Sequence, residues 1–212
     1  MRVLHVLWQI VKHLNYRGYI YVWANLLWIA LTLCIITAPA AWAGLMILTY
    51  RAHTQAQVNF DDFWDGFKKH FWRAMLNAVI SLVIIIVNIS NLLNYSPVNL
   101  FGNMIALLWI LSLIVWLSIQ LYLWVIIEES ETPSLWLAYR NALVMTIHNP
   151  LLTLVLCGLT LLTILLSIFL PPLFILLTGS IITIIGVAGA LECLKRAGYE
   201  NLQHQNPLDN QI

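Results

Sequence analysis

GYIYVWANLLWIALTLCIITAPAAWAGLMILTY, residues 18–50, holds no Asp, Glu, Lys or Arg between Arg17 and Arg51. A single helix over these 33 residues would be roughly 50 Å long at a rise of about 1.5 Å per residue. The hydrocarbon core of a bilayer is about 30 Å thick. The stretch is too long for one upright crossing, and Thr37-Ala38-Pro39 supplies a break near its middle, because Pro removes a backbone donor and cannot continue a helix. It reads as a tight helical pair, 19–36 and 39–53.

The rest of the chain divides by the same rule. Charge-free stretches of 54 and 51 residues run from Arg73 to Glu128 and from Arg140 to Glu192. Each has room for two spans of about 20 residues. Asn91-Leu92-Leu93-Asn94-Tyr95-Ser96-Pro97-Val98-Asn99 divides the first, and Pro171-Pro172 divides the second. Spans are expected near 72–92, 101–127, 151–170 and 173–192.

Charge parity chooses between five and six crossings. With six, residues 1–18, the loops 51–73 and 128–150, and the tail 193–212 share one side. All ten Lys and Arg then lie there, and the positive-inside rule makes that side cytoplasmic. The expected fold is all-α: a single polytopic membrane domain over 1–212, built as three hairpins of six transmembrane helices. It would sit in the cytoplasmic (inner) membrane with both termini cytoplasmic.

Composition agrees with a bilayer environment. Apolar residues make up 61% and charged residues 9%, where soluble domains carry about a quarter charged. Ten Trp and eight Tyr suit two membrane–water interfaces. A net charge of +1 gives no basic footprint for nucleic acid. Residues 1–18 lack the small-residue cleavage site of a signal peptide. Cys34, Cys157 and Cys193 are too scattered for a zinc site or a disulfide framework.

A short pattern recurs before each hairpin. Leu7-Trp8-Gln9-Ile10-Val11-Lys12, Phe63-Trp64-Asp65-Gly66-Phe67-Lys68 and Leu135-Trp136-Leu137-Ala138-Tyr139-Arg140 each run apolar, Trp, two variable, apolar or aromatic, basic. Trp and the later apolar residue share a helical face. Three short interfacial helices on the cytoplasmic side would use this pattern, anchored by Trp8, Lys12, Trp64, Phe67, Lys68, Trp136, Tyr139 and Arg140. Asn59, with Asp62 three positions on, and Thr132-Pro133 read as helix starts for the second and third copies.

The candidate sites are few. Asp61, Asp62 and Asp65, near His53 and His70, could bind a divalent cation but carry no ligand motif, and read as solvated or capping charges. Glu128, Glu129, Glu131 and His148 could do acid–base chemistry, yet no catalytic signature accompanies them. No catalytic residue, cofactor or metal is expected. No ionisable side chain falls at mid-depth of a span, which argues against a proton relay. Asn25, Asn77, Ser81, Asn88, Ser112, Ser118, Gln120, Thr153, Thr160 and Thr163 do enter spans and read as interhelical hydrogen-bonding groups rather than a solute path. Ala40 with Gly44, and Gly186 with Gly189 and Ala190, have the spacing that lets helices pack closely.

Three segments resemble a family. Asn25-Leu26-Leu27-Trp28, then Ile35-Ile36-Thr37-Ala38-Pro39-Ala40-Ala41, followed by Asp62-Phe63-Trp64-Asp65-Gly66-Phe67-Lys68-Lys69-His70-Phe71, are similar to the YesL-like family of small bacterial membrane proteins. Cys34 stands where that family often has Pro, and His70 where it has Asn. The resemblance covers about the first third of the chain and carries no site residues. It implies an accessory role near carbohydrate uptake, because family members are often encoded beside carbohydrate transporters.

These observations favour a non-enzymatic accessory or scaffold protein that contacts the lipid bilayer, with another membrane protein as a candidate partner through its charged face. The alternatives are a transporter or channel component for a neutral solute and, third, a membrane-embedded enzyme acting on lipid.

Overall fold

A computed structural model describes residues 2–94, 100–130 and 134–198. Every regular element among them is an α-helix: α1 (Arg2–Thr32), α2 (Ala38–Thr54), α3 (Asp61–Asn94), α4 (Leu100–Glu129), α5 (Leu135–His148), α6 (Pro150–Phe169), α7 (Pro171–Leu176) and α8 (Thr178–Arg196). Four of the helical stretches are long and apolar enough to cross a membrane: Asp61–Asn94, Gly102–Glu129, Pro150–Phe169 and Thr178–Arg196. The chain is a membrane protein whose described residues form helices and no strands. The further spans read at 19–36 and 39–53 fall on α1 and α2.

The Pro residues start helices here. Pro39, Pro150 and Pro171 each occupy the first or second position of α2, α6 and α7, where the missing N–H would have had no partner. Between α1 and α2, the Thr37 hydroxyl donates to the carbonyls of Leu31 (2.5 Å) and Cys34 (2.9 Å), closing the turn.

Several helices depart from the sequence reading. A break at Arg17, whose φ of −124° and ψ of 19° leave the helical region, divides α1 into two helical parts next to the boundary expected at residue 18. Trp64, Phe67 and Lys68, by contrast, do not form a separate short helix. They lie in the first turns of the 34-residue α3, because nothing between Phe67 and Asn94 interrupts helical backbone. That helix outruns the expected end at residue 92. Asn91 and Asn94 bond back to the carbonyls of Val87 and Ser90, so the polar cluster begins inside the helix. The expected span 173–192 is broken at Leu177 (φ −143°), and its helix continues to Arg196. The third start is shifted too, since α5 begins at Leu135 after Ser134. Residues 95–99, Glu131, Thr132-Pro133 and the tail beyond 198 lie outside the described residues.

The core is built around α2 and α8. Ala40, Ala41, Ala43, Gly44 and their successors through Tyr50 are buried along α2. In α8, 67% of the most apolar 18-residue window is buried, against 11% in α3, so α8 is central and α3 peripheral. Small residues permit this. A Cβ on Gly44 would stand 2.8 Å from the Phe63 carbonyl oxygen of α3, and one on Gly186 2.8 Å from the Leu121 carbonyl oxygen of α4. A Cβ on Gly189 would overlap Leu156 of α6. Ala40 and Ala190 are fully buried.

Candidate functional site

The C-terminus of α2, the N-terminus of α3 and the C-terminus of α4 meet at one end of the bundle, and their charges form a single node. Arg51 of α2 reaches Asp62 (2.5 Å) and Asp65 (3.3 Å) of α3 and lies 3.9 Å from Glu128 of α4. Glu128 also accepts from Lys69 (2.7 Å) and from the buried His70 Nε2 (3.1 Å). Arg73 stands 3.4 Å from His70 Nδ1. A guanidinium can only donate, so Nδ1 accepts and the ring proton sits on Nε2, directed at Glu128. Beside the node, the Tyr50 hydroxyl donates to Glu129 at 2.6 Å. The Asn59 backbone N–H donates to Asp62 (2.8 Å), the half of a capping box in which the acid answers the cap residue.

The residues read as a possible cation site are therefore divided. Asp62 and Asp65 face Arg51, His70 faces Glu128, and Asp61 is exposed. Among the described residues no group of three His, Cys, Asp or Glu is placed to hold a metal ion. Of the acid–base candidates, Glu128 is engaged on three sides, while His148 is exposed and bonds the Val144 carbonyl of its own helix.

His53 is elsewhere. Its ring stacks on that of His13, centroids 3.7 Å apart and planes at 15°. Both rings are buried, and His53 Nδ1 is bonded to the Thr49 carbonyl oxygen. Over them Arg17, at the kink of α1, donates to the carbonyls of Ala52 (2.8 Å), Gln55 (3.1 Å) and Ala56 (2.9 Å). These include the unsatisfied acceptors at the end of α2, where a cation is favoured.

Burial first, then the charges of Arg17 and Lys12, push the His13 imidazole down to about 4 from its usual 6.5. The unfolded chain thus binds the extra proton first. Stability contributed by neutral His13 is complete above pH 6.5 and is lost as pH falls towards 4. The unfolding temperature in detergent is expected to fall between pH 7 and 4.5, and to fall less in His13→Phe, which keeps the ring stack. Equal falls in both proteins would refute this role for His13.

Away from the node, Asn25 of α1 clamps the break between α7 and α8. Its Nδ2 donates to the carbonyls of Phe174 (3.3 Å) and Ile175 (2.7 Å), and its Oδ1 accepts from the Ser180 N–H (3.1 Å). Ser180 Oγ returns a bond to the Tyr21 carbonyl (2.8 Å). Gly179 makes room: a Cβ there would stand 2.7 Å from the Trp28 ring. Backbone groups freed by a broken helix must find partners inside lipid, and here one carboxamide supplies three.

Other polar residues of the spans also cross-link helices. Asn77 donates to Gln120 (3.0 Å) and accepts from the Tyr139 hydroxyl (2.6 Å), joining α3, α4 and α5. Thr153 pairs with Tyr122 (2.9 Å), and Ser118 with Cys157 (3.3 Å). Asn88, Thr160 and Thr163 bond carbonyls of their own helices.

The proposed anchors separate into two groups. Trp8 and Trp136 are 65% and 78% exposed, and Trp64, Lys68 and Arg140 are also exposed. Lys12 is half-buried. Phe67 is half-buried between Trp64 and Phe71, at centroid distances of 5.6 and 5.7 Å, and packs on the core. Tyr139 turns inward to Asn77. These two belong to the packing of the bundle and not to its rim.

The His13–His53 stack, the Arg17 strap and the Asn25 clamp were not legible as sites. The only sequence signals were the small polar run Thr178-Gly179-Ser180 in an apolar stretch and the presence of Asn25 in a span.

Residues 21–92 match a family described as "Protein of unknown function, DUF624". No curated protein and no solved structure matches the chain. The matched region contains Asn25, Trp28, Gly44, Arg51, Asp62, Gly66 and His70, but not their partners in α4, α7 and α8.

Proposed function

We propose that this membrane protein acts without catalysis, as an accessory or scaffold protein of the bacterial cytoplasmic membrane, working through its charged end. The observation that carries this reading is the node around Glu128. Its carboxylate is spent on Arg51, Lys69 and His70, so the charges lock helix ends together instead of facing a substrate. Around the node Asp61, Trp64, Lys68 and the 82%-exposed Trp72 form an outward rim. The turn 33–37 at the other end of α1 exposes only uncharged groups such as Leu33 and Ile35.

In this reading the six crossings put the rim and both termini in the cytoplasm, and the partner is another membrane protein. A link to carbohydrate uptake rests on the resemblance to YesL-like proteins alone.

Cysteines placed singly at 96, 131 and 171 test the orientation. Positions 96 and 171 are expected to react with an impermeant reagent in intact cells, and 131 only after lysis. External labelling at 131 would remove the six-span arrangement. Cross-linking in native membranes tests the role. A discrete partner band is expected, lost when Asp61 and Lys68 are exchanged in charge; the protein running alone in every membrane preparation would sink the scaffold reading.

A second reading, a component for moving a neutral solute, is favoured by two features. Discontinuous helices mark solute sites in many transporters, and α7 and α8 are such a pair. Asn88 also lines a groove of about 540 Å³ between α3 and α4. Solute flux in proteoliposomes that Asn88→Leu with Gln120→Leu abolishes would replace the scaffold reading with this one.

A further inference from the structure

Two arginines at the charged end have no acid to pair with among the described residues. Arg73 of α3 is half-buried, and the polar contact it makes is the long one to His70 Nδ1, at 3.4 Å. Arg140 of α5 is exposed. Other basic residues nearby are engaged: Arg51 and Lys69 pair inside the node, Arg17 straps the end of α2, and Arg196 bonds Asn149. The acids at the end of α4 are bonded as well, Glu128 to Lys69 and His70, and Glu129 to Tyr50. A cation partly withdrawn from water needs an anion beside it, and the described residues supply none.

The two arginines lie on adjoining helices. The Tyr139 hydroxyl donates to Asn77 at 2.6 Å, and its ring lies 5.5 Å from that of Trp116, so α5 is fastened across α3 and α4. Arg73 sits one turn before Asn77, on the same side of α3, and Arg140 follows Tyr139. Each arginine is flanked by an exposed indole. Trp72 (82%) precedes Arg73, and Trp136 (78%) lies one turn before Arg140. Leu76 and Val79 of α3, and Leu143 and Ile147 of α5, are exposed beyond them. The indoles therefore stand between apolar surface and charge, as Trp does where acyl chains give way to headgroups.

We propose that Arg73 and Arg140 hold the phosphate of an anionic phospholipid of the phosphatidylglycerol type between α3 and α5, with Trp72 and Trp136 against its glycerol backbone and upper acyl chains. A guanidinium meets phosphate oxygens two at a time, with a geometry that an ammonium lacks. Phosphatidylcholine and phosphatidylethanolamine carry a cation of their own, which would face two guanidinium groups. The glycerol headgroup carries none, so the site selects lipid of net negative charge. It stands independently of the scaffold role, since it uses neither the ion pairs of the node nor Asp61 and Lys68.

The test uses the full chain in a non-ionic detergent and three probes: dioctanoyl phosphatidylglycerol, dioctanoyl phosphatidylcholine and glycerol 3-phosphate. Binding is read from the shift in unfolding temperature and from lipid retained in native mass spectrometry. Phosphatidylglycerol is expected to bind roughly 20-fold tighter than phosphatidylcholine, because each basic residue at an anionic lipid surface is worth about fivefold. Arg73→Gln and Arg140→Gln, which keep side-chain donors and remove the charge, are each expected to lower that preference about fivefold. The double variant is expected to bind both lipids alike. Lys195→Gln, which removes an exposed cation of α8, is expected to keep the preference. An equal loss in Lys195→Gln would reduce the effect to diffuse surface charge and overturn the site. Equal binding of the two lipids by the unaltered protein, or a preference that survives both arginine substitutions, overturns it too. Glycerol 3-phosphate binding as tightly as phosphatidylglycerol would make the ligand a soluble phosphate and overturn the lipid assignment. Should Arg73→Gln not fold, Arg140→Gln at its exposed position decides alone.

Discussion

Asn25→Leu is expected to destabilise the folded protein by about 4 kcal/mol, and to do so without touching any charged group. Three hydrogen bonds converge on this carboxamide, two from its Nδ2 to the α7 carbonyls and one to its Oδ1 from the first turn of α8. An interhelical hydrogen bond in a membrane protein is usually worth only about 0.6 kcal/mol and at most about 1.7. The larger figure arises because Leu removes the partner of three backbone groups at once. Each group left buried and unsatisfied costs about 1–3 kcal/mol. Ser180→Ala is the calibrating variant. It removes only the bond from Ser180 Oγ to Tyr21 and should cost about 1 kcal/mol. Denaturant titration in detergent measures both. If Asn25→Leu costs no more than Ser180→Ala, the break between α7 and α8 is held by something else.

Gly44→Leu is the second large effect, expected at 3 kcal/mol or more, since overpacking alone costs about 1–3. A Cβ at this position would lie 2.8 Å from the backbone oxygen of Phe63 and 3.4 Å from that residue's ring. A backbone atom cannot swing aside as a side-chain tip can, so α2 and α3 must separate. Gly66 forms the other side of the contact, where a Cβ would meet Ile47 at 2.8 Å and the Gly44 Cα at 3.2 Å. Gly158→Ala is the control: a Cβ there meets nothing within 4 Å, and the helix gains up to about 1 kcal/mol from propensity. Heating each variant and counting the monodisperse fraction by size-exclusion chromatography ranks them. Gly44→Leu surviving at the wild-type temperature would show that the α2–α3 crossing is not close-packed in solution.

How much of this could be read from residue order depends on the range over which each signal acts. Pro39, Pro150 and Pro171 act on their own backbone, and helices begin at all three. Gly44, Gly186 and Gly189 declared close packing by spacing, although not which helix each would meet. The three Trp-to-basic segments are all helical but continue differently. One is followed by the break in α1, one is the uninterrupted start of α3, and one is a helix of its own. The pattern describes residues that suit an interface, whereas continuity of the helix is decided by the residues that follow.

The break at Leu177 left only a faint mark in the sequence, the small polar run Thr178-Gly179-Ser180. The groups it frees are met by a carboxamide about 150 positions earlier in the chain, and an apolar run does not say where such a partner lies. The histidine stack has the same origin, since His13 and His53 are unremarkable until two helices bring them together. Asp62 and His70 were seen as possible ligands because their neighbours in sequence are acidic. Their neighbours in space include Arg51 and Glu128, which turn a candidate site into a fastening.

The burial of α8 has a consequence for how the protein is made. It is synthesised after α1 to α7, yet it occupies the middle of the bundle, with Gly186 against α4, Gly189 against α6 and Ser180 against α1. Until it emerges from the ribosome, the earlier helices have to keep a slot free for it. During that interval the Asn25 carboxamide, the Tyr21 carbonyl and the Thr49 hydroxyl, which pairs with Thr183 at 2.9 Å, face lipid without their final partners. Insertion therefore ends with a step that still has polar atoms to satisfy, and a chain stalled one helix short is expected to be more open to a membrane protease than the complete one.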